Sequence, residues 1–256
     1  MITFASRIVT FARALVLSSV LALPAFAAEL PIIAKARAYI GPEPVLNSVK
    51  SVRYIGTLVT ADPADATKQT QASIEIIFQK PEQQRIVVTS AKSVEVTALD
   101  GYEAWQRGQE ISDASKWKQT LMQVDQIKRL RANTWENLGF FRGIEAVGGR
   151  TEDQGRVTID GVATQKIAFI HSPTVMFIRY FDVATGRLVM TETETGGTIR
   201  EKGEVKVNGM RFPKSIVTTT KNAKGDVQSV TIDFESVYVN ETYPSLYFAV
   251  PMPRAR

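Results

Sequence analysis

From residue 156 to residue 248 the chain is a nearly unbroken series of alternating segments separated by tight-turn residues, and this stretch most restricts the folds open to it. Segments 165–170, 175–182, 187–193, 203–207, 215–221 and 227–237 read as strands, in which successive side chains point to opposite faces. Between them stand Ala184-Thr185-Gly186, Gly196-Gly197, Asn208-Gly209 and Asn222-Ala223-Lys224-Gly225. At such positions glycine or asparagine supplies the positive φ of a hairpin turn. Strands joined by short turns pair antiparallel, so this half is predicted to be a meander. The rest of the chain must complete, fill or close that sheet.

The first half supplies more strands, at 52–60, 73–79, 85–90, 93–99 and 102–107, for roughly ten or eleven in all. In 73–79, Ile74, Ile76 and Phe78 share one face against Ser73, Glu75 and Gln79 on the other. Ile77 interrupts the polar face, which implies that both faces of the sheet are covered in places. Asp100-Gly101 is a hairpin signal leading into the strand that carries Trp105.

Two stretches carry the helical period instead. Ile32, Ile33, Ala36, Tyr39 and Ile40 form one apolar stripe, and Pro44 opens a further short turn ending near Val49. From 114 to 134, Ser112 or Asp113 caps a predicted helix whose Trp117, Leu121, Val124 and Ile127 share a face. Open sheets approaching ten strands curl or split. The predicted fold is mainly β within the α+β class: a curved, open antiparallel half-barrel whose concave face is covered by helices at 30–48 and 114–134. Two packed sheets are the alternative.

Composition narrows the setting. The 256 residues are 44% hydrophobic and 22% charged, an ordinary globular balance. Arg7 and Arg13 precede an apolar run from Ala14 to Leu23, followed by Pro24 and Ala25-Phe26-Ala27. This is the pattern of a secretory signal peptide, too short to span a bilayer, so residues 1–27 are expected to be removed and 28–256 to form one soluble periplasmic domain. Removing Arg7 and Arg13 lowers the formal charge from +5 to +3, and the remaining basic residues form no stripe of the kind nucleic acid requires. No cysteine is present, which removes disulfides, thiolate metal sites and a lipidated N-terminal cysteine.

Catalytic patterns are weak. His171 is the only histidine and has no acidic neighbour in sequence, so it reads as a packed or solvated strand residue. With one histidine and no cysteine, a metal site would rest on carboxylates alone, and no metal or other cofactor is expected. Glu192 with Glu194 and Asp233 with Glu235 could present paired carboxylates, yet alternating Thr and Glu is what a wet strand face looks like. Ser115-Lys116-Trp117-Lys118 matches Ser-x-x-Lys without the companion motifs of penicillin-binding enzymes. The chain is therefore expected not to be an enzyme.

Three motifs give a family resemblance. Phe78-Gln79-Lys80-Pro81 looks like the strand-end basic-Pro motif of the LolA/LolB-type periplasmic lipoprotein carriers, and Asp100-Gly101-Tyr102-Glu103-Ala104-Trp105 like their Asp-Gly-x-x-x-Trp hairpin. Asn208-Gly209-Met210-Arg211-Phe212-Pro213-Lys214 is similar to a Gly-x-x-x-Pro strand start in broader lipoprotein-sorting relatives, with the closing 243–251 segment as its companion. The resemblance implies an open half-barrel with helices as a lid. It also implies a lid contact for Lys80, which stands where those carriers have an arginine that holds the empty cavity shut.

The function so implied is a periplasmic carrier or chaperone that shelters lipid acyl chains, from a lipoprotein or a free lipid, between sheet and helices. The expected lining is Ile76, Phe78, Val96, Trp105, Trp117, Leu121, Val124, Phe169, Phe177 and Met190. The alternative is an envelope sensor or regulatory module on the same scaffold that transports nothing. Either reading anticipates an inner- or outer-membrane protein partner and no nucleic acid.

Overall fold

The computed structural model describes residues 29–62, 65–221 and 225–251. The expected signal peptide, and residues 222–224 of one expected turn, lie outside the described residues. The strands are β1 (Ser51–Asp62), β2 (Asp65–Gln79), β3 (Gln83–Thr89), β4 (Ser93–Asp100), β5 (Glu103–Glu110), β6 (Trp117–Leu121), β7 (Arg150–Ile159), β8 (Val162–Ser172), β9 (Val175–Asp182), β10 (Leu188–Thr193), β11 (Thr198–Val207), β12 (Met210–Lys221) and β13 (Val227–Val239). The helices are α1 (Pro31–Ile40), α2 (Glu43–Ser48) and α3 (Val124–Leu138).

All thirteen strands form one antiparallel sheet, in the order β6-β5-β4-β3-β2-β1-β13-β12-β11-β10-β9-β8-β7. The sheet is open and curved, as predicted, with two strands more than the upper sequence count. The chain runs outward from β1 to the edge at β6 and crosses to the other edge, at β7, through α3. It then runs inward to β13, which pairs with β1. Most neighbouring strands are paired over much of their length, but β10 and β11 meet only at Thr191↔Ile199 and Glu192↔Thr198. Beyond those pairs the two strands part and leave a seam in the wall.

The second helix differs from expectation. Residues 117–121 form an edge strand, with Trp117 opposite Gln109 and Leu121 opposite Trp105, and α3 begins only at Val124. Pairing satisfies one edge of β5, which outweighs a helical spacing that the alternating Trp117, Gln119 and Leu121 meet equally well. Asp113 accordingly caps a turn, its Oδ1 accepting from the Ser115 amide at 3.0 Å. Gln123 caps α3 through a reciprocal capping box with Gln126.

The C-terminal half of α3 lies down in the trough, touched from both arms of the sheet. The Thr134 hydroxyl donates to Gln84 Oε1 on β3 at 3.2 Å, while Glu136 meets His171 on β8 at 2.6 Å. Around the helices the buried apolar residues form two clusters, with half-buried Ile40 packed against both. One gathers Ile33, Ala36, Ala132, Phe141, Ile144, Phe169, Phe177 and Phe181 against β8 and β9. The other gathers Leu46, Val52, Tyr54, Phe78, Leu138, Phe140 and Phe212 against β1, β2 and β12.

Candidate functional site

Between these clusters lies a cavity of about 410 Å³. Its floor is the helix-bearing face of β9 to β12, with Phe177, Leu188, Ile199, Phe212 and Ile216, and its roof is α1 (Ala36, Tyr39, Ile40) and α3 (Asn133, Glu136, Asn137). Phe140 and Phe141 border it from the turn after α3, one from each cluster. Both have positive φ, 47° and 70°, a strained setting for bulky residues that sends consecutive rings to opposite sides of the cavity.

One arginine holds that turn. Arg37 on α1, only 2% exposed, donates from Nη1 to the carbonyl oxygens of Gly139 (3.0 Å) and Phe140 (2.8 Å), where α3 ends and its carbonyls lack intrahelical partners. Its other nitrogens reach Glu43 and Asn47 on α2. Lys80 borders the adjacent cleft with Arg37, Asn47 and Gly139, and burial followed by the charge of Arg37 lowers its pKa. Among the described residues its ammonium makes no hydrogen bond to α3; the donor at that helix end is Arg37.

Helix α1 closes the seam between β10 and β11. Lys35 Nζ donates to the Val183 carbonyl at 2.7 Å, and Gly186, at φ +81°, abuts the Lys35 backbone so closely that a Cβ would come within 2.6 Å of it. On the other side of the seam Tyr39 hydrogen-bonds Glu204, and the Arg211 guanidinium lies 4.9 Å from the Tyr39 ring.

The cavity is not uniformly apolar. Arg179 on β9, 7% exposed, is held between the rings of Phe141 (4.6 Å) and Phe169 (5.0 Å) and pairs with Glu136, which also meets His171. His171, in contact with the Trp135 and Phe177 rings, is thus held by the Glu136 carboxylate. Glu201 stands on the floor, its surface exposed to the cavity and protein atoms crowded around its carboxylate. That enclosure raises its pKa, and Arg179 and Arg187 pull it back only in part. Among the described residues no group of three or more acidic or histidine side chains could hold a metal ion.

This architecture has relatives among solved structures. A LolA superfamily protein from Nitrosomonas europaea superposes with a TM-score of 0.56 over 86% of this chain and 96% of its own, at 12% identity. The chain has the LolA-type fold. A putative outer membrane lipoprotein-sorting protein domain from Vibrio parahaemolyticus matches at TM-score 0.53 and 8% identity, over 85% of this chain and 94% of its own. A DUF1329 family protein from Desulfovibrio piger matches at 0.51 and 9%, over 85% and 95%. No family model and no curated protein matches the sequence.

Within this LolA-type sheet the residues expected as lining fall in several places. Phe177 borders the cavity, with Phe169 directly beneath Arg179. Phe78 is buried in the second cluster and Ile76 packs against it, both on the helix-bearing face but away from the cavity. Trp105, Val96 and Met190 lie on the opposite face. Trp105 shares that face with Ala98, Arg85 and Ile77 through the register, and its indole donates to the Phe248 carbonyl at 2.9 Å. Met190 is opposite Tyr180, one position out of phase with the inward Arg179. Trp117, Leu121 and Val124 are 47%, 61% and 66% exposed at the sheet edge and helix start. The polar residues of the cavity, Arg179, Glu136, Arg187 and Glu201, are absent from the sequence expectation.

Proposed function

We propose that this protein is a periplasmic carrier or chaperone that shelters a lipid acyl chain, from a lipoprotein or a free lipid, in the cavity between its sheet and helices. The observation that carries this reading is the cavity left between the two apolar clusters, both of which Ile40 touches. Phe140 and Phe141, both at positive φ, border a space of about 410 Å³ that lies between the two half-cores. That volume lies within the roughly 300–1,000 Å³ of small-molecule sites and suits one chain rather than several. Covering an acyl chain during passage through water is worth about 0.8 kcal/mol for each CH₂ sheltered, which is the driving force such a cavity exploits. The secretory pattern of residues 1–27 supports the compartment, and one structural neighbour is described as a lipoprotein-sorting domain.

Native mass spectrometry of protein purified from cells without detergent tests this. The expected spectrum shows a lipid-sized adduct on the wild type that is lost in Ile216→Trp, a substitution that fills the floor. An adduct-free wild type that also fails to bind an environment-sensitive apolar dye would end the carrier reading.

A further inference from the structure

The charges around the cavity do not all cancel locally. Glu136 pairs with Arg179, and Glu204 with Arg211 at 3.0 Å. Two more groups, one of each sign, lie within each other's electrostatic reach without forming a close ion pair. Glu201 projects from β11 on the cavity floor, opposite Ile216 in the register, and among the described residues it forms no ion pair. Arg187, half-buried just before β10, borders the same cavity and also forms none. They stand on the two sides of the seam where β10 and β11 part.

A third observation points the same way. Two guanidinium nitrogens of Arg179, Nε and Nη1, are buried without a hydrogen-bond partner. A buried charged donor left unsatisfied is costly, and Arg179 borders the cavity, where a turn of its side chain would bring these nitrogens to an acceptor. An apolar chain alone satisfies none of these three groups. A simple anion would meet Glu201 head on, and a simple cation would meet Arg187 and Arg179.

We infer that the cavity binds an amphiphile with a zwitterionic head, its ammonium on Glu201 and its phosphate on Arg187 and the adjoining Arg179, with the apolar chain along Phe177, Leu188 and Ile216. Phosphate suits two guanidinium groups better than a carboxylate does, because its oxygens accept from both forks at once. The ligand offers each side of the seam a counter-charge in direct contact, where Glu201 and Arg187 otherwise act on each other only at longer range, and an ammonium beside Glu201 favours its ionised carboxylate. The headgroup assignment rests on the carrier reading and adds the chemical class of the lipid.

The test compares three probes of equal chain length below their micelle-forming concentrations: a lysophosphatidylethanolamine, a lysophosphatidylglycerol and a monoacylglycerol. Binding is measured by calorimetry on the wild type and on Glu201→Gln and Arg187→Gln, each checked for folding by circular dichroism. The ethanolamine lipid is expected to bind the wild type about tenfold more tightly than the other two, the size of one charge-assisted hydrogen bond. Glu201→Gln should erase the preference over the lysophosphatidylglycerol by weakening the ethanolamine lipid, and Arg187→Gln should weaken both phosphate-bearing lipids. Free phosphoethanolamine should not compete; competition as strong as the lysolipid's would mean a site for a small soluble zwitterion and would overturn the inference. Equal binding of all three lipids overturns the headgroup assignment and leaves the carrier reading standing. No binding of any of them removes both.

Discussion

Arg37 Nη1 and the Phe140 carbonyl oxygen are 2.8 Å apart, a contact that closes 103 residues of chain and fixes the turn that separates the two apolar clusters. The same side chain reaches α2 through Glu43 and Asn47, so three helices depend on one guanidinium. Arg37→Ala is expected to cost about 3 kcal/mol in urea unfolding, from the carbonyls and carboxylate left unsatisfied. Arg37→Lys should recover less than half of that, because an ammonium lacks the planar fork that serves several acceptors together. A loss under about 1 kcal/mol for the alanine variant would show that the turn stands without it.

The Glu136 cluster should respond unequally to its two ends. Glu136→Gln removes the counter-charge of Arg179 in a setting where both side chains are nearly inaccessible, and a loss of about 3 kcal/mol is expected. His171→Ala removes one hydrogen bond, at about 1 kcal/mol, and should leave ligand binding unchanged. Comparable losses from the two variants would instead identify the imidazole as the essential partner.

Glu201 gives a pH dependence of definite sign. Enclosure raises its pKa in the fold, so the folded state holds the proton more tightly than the unfolded chain. The resulting stabilisation is complete below the unfolded value, about 4.5, and is lost as pH rises through the raised folded value. Glu201→Gln should therefore match wild type in stability at pH 4 and exceed it at pH 7.5, measured by denaturant unfolding at both. Equal stability at pH 7.5 would mean that the carboxylate ionises in the cavity without penalty.

The C-terminal tail is expected to behave as a structural cover for the face opposite the helices. Phe248 is fully buried and its carbonyl receives the Trp105 indole, while Tyr247 stacks on Arg85 at 4.3 Å. Phe248→Ala should cost about 3–5 kcal/mol and shift Trp105 emission to the red as water reaches the indole. Unchanged emission with lowered stability would place the loss elsewhere.

The meander was legible because its signals are local: the alternation of 175–182 and the Asn208-Gly209 turn each decide a backbone conformation within a few residues. Ile77, apolar on a nominally wet face, correctly marked a sheet covered on both sides; it is fully buried. Which face carries the helices is not local information. Ile77, Ala98 and Trp105 look as apolar in sequence as Ile76, Phe78 and Leu99, because a tail more than 140 residues away covers the former. The helical reading of Trp117 and Leu121 gave way to a strand for a related reason, since spacing by four and spacing by two coincide there and only the free edge of β5 decides between them. The polar half of the site did leave a trace: Arg179 stands two residues from Phe177 and two from Phe181, a charge in phase with buried aromatics. Glu136 and His171 are 35 residues apart, and nothing in their neighbourhoods announces the pair.

The central pairing of β1 with β13 sets an order of assembly. Val52 pairs with Val239, so the first of the described strands to emerge is completed by the last of them. The arm from β1 to β6 consists of neighbour-to-neighbour hairpins and is expected to form early, since short loops close at little entropic cost. Until β13 arrives, β1 presents a row of unpaired amides and carbonyls down the middle of what will be the sheet, and such a free edge invites pairing with other chains. The nascent protein is thus most prone to self-association while β13 is still being made, and a partner that transiently covered β1 would raise its yield without touching the finished fold.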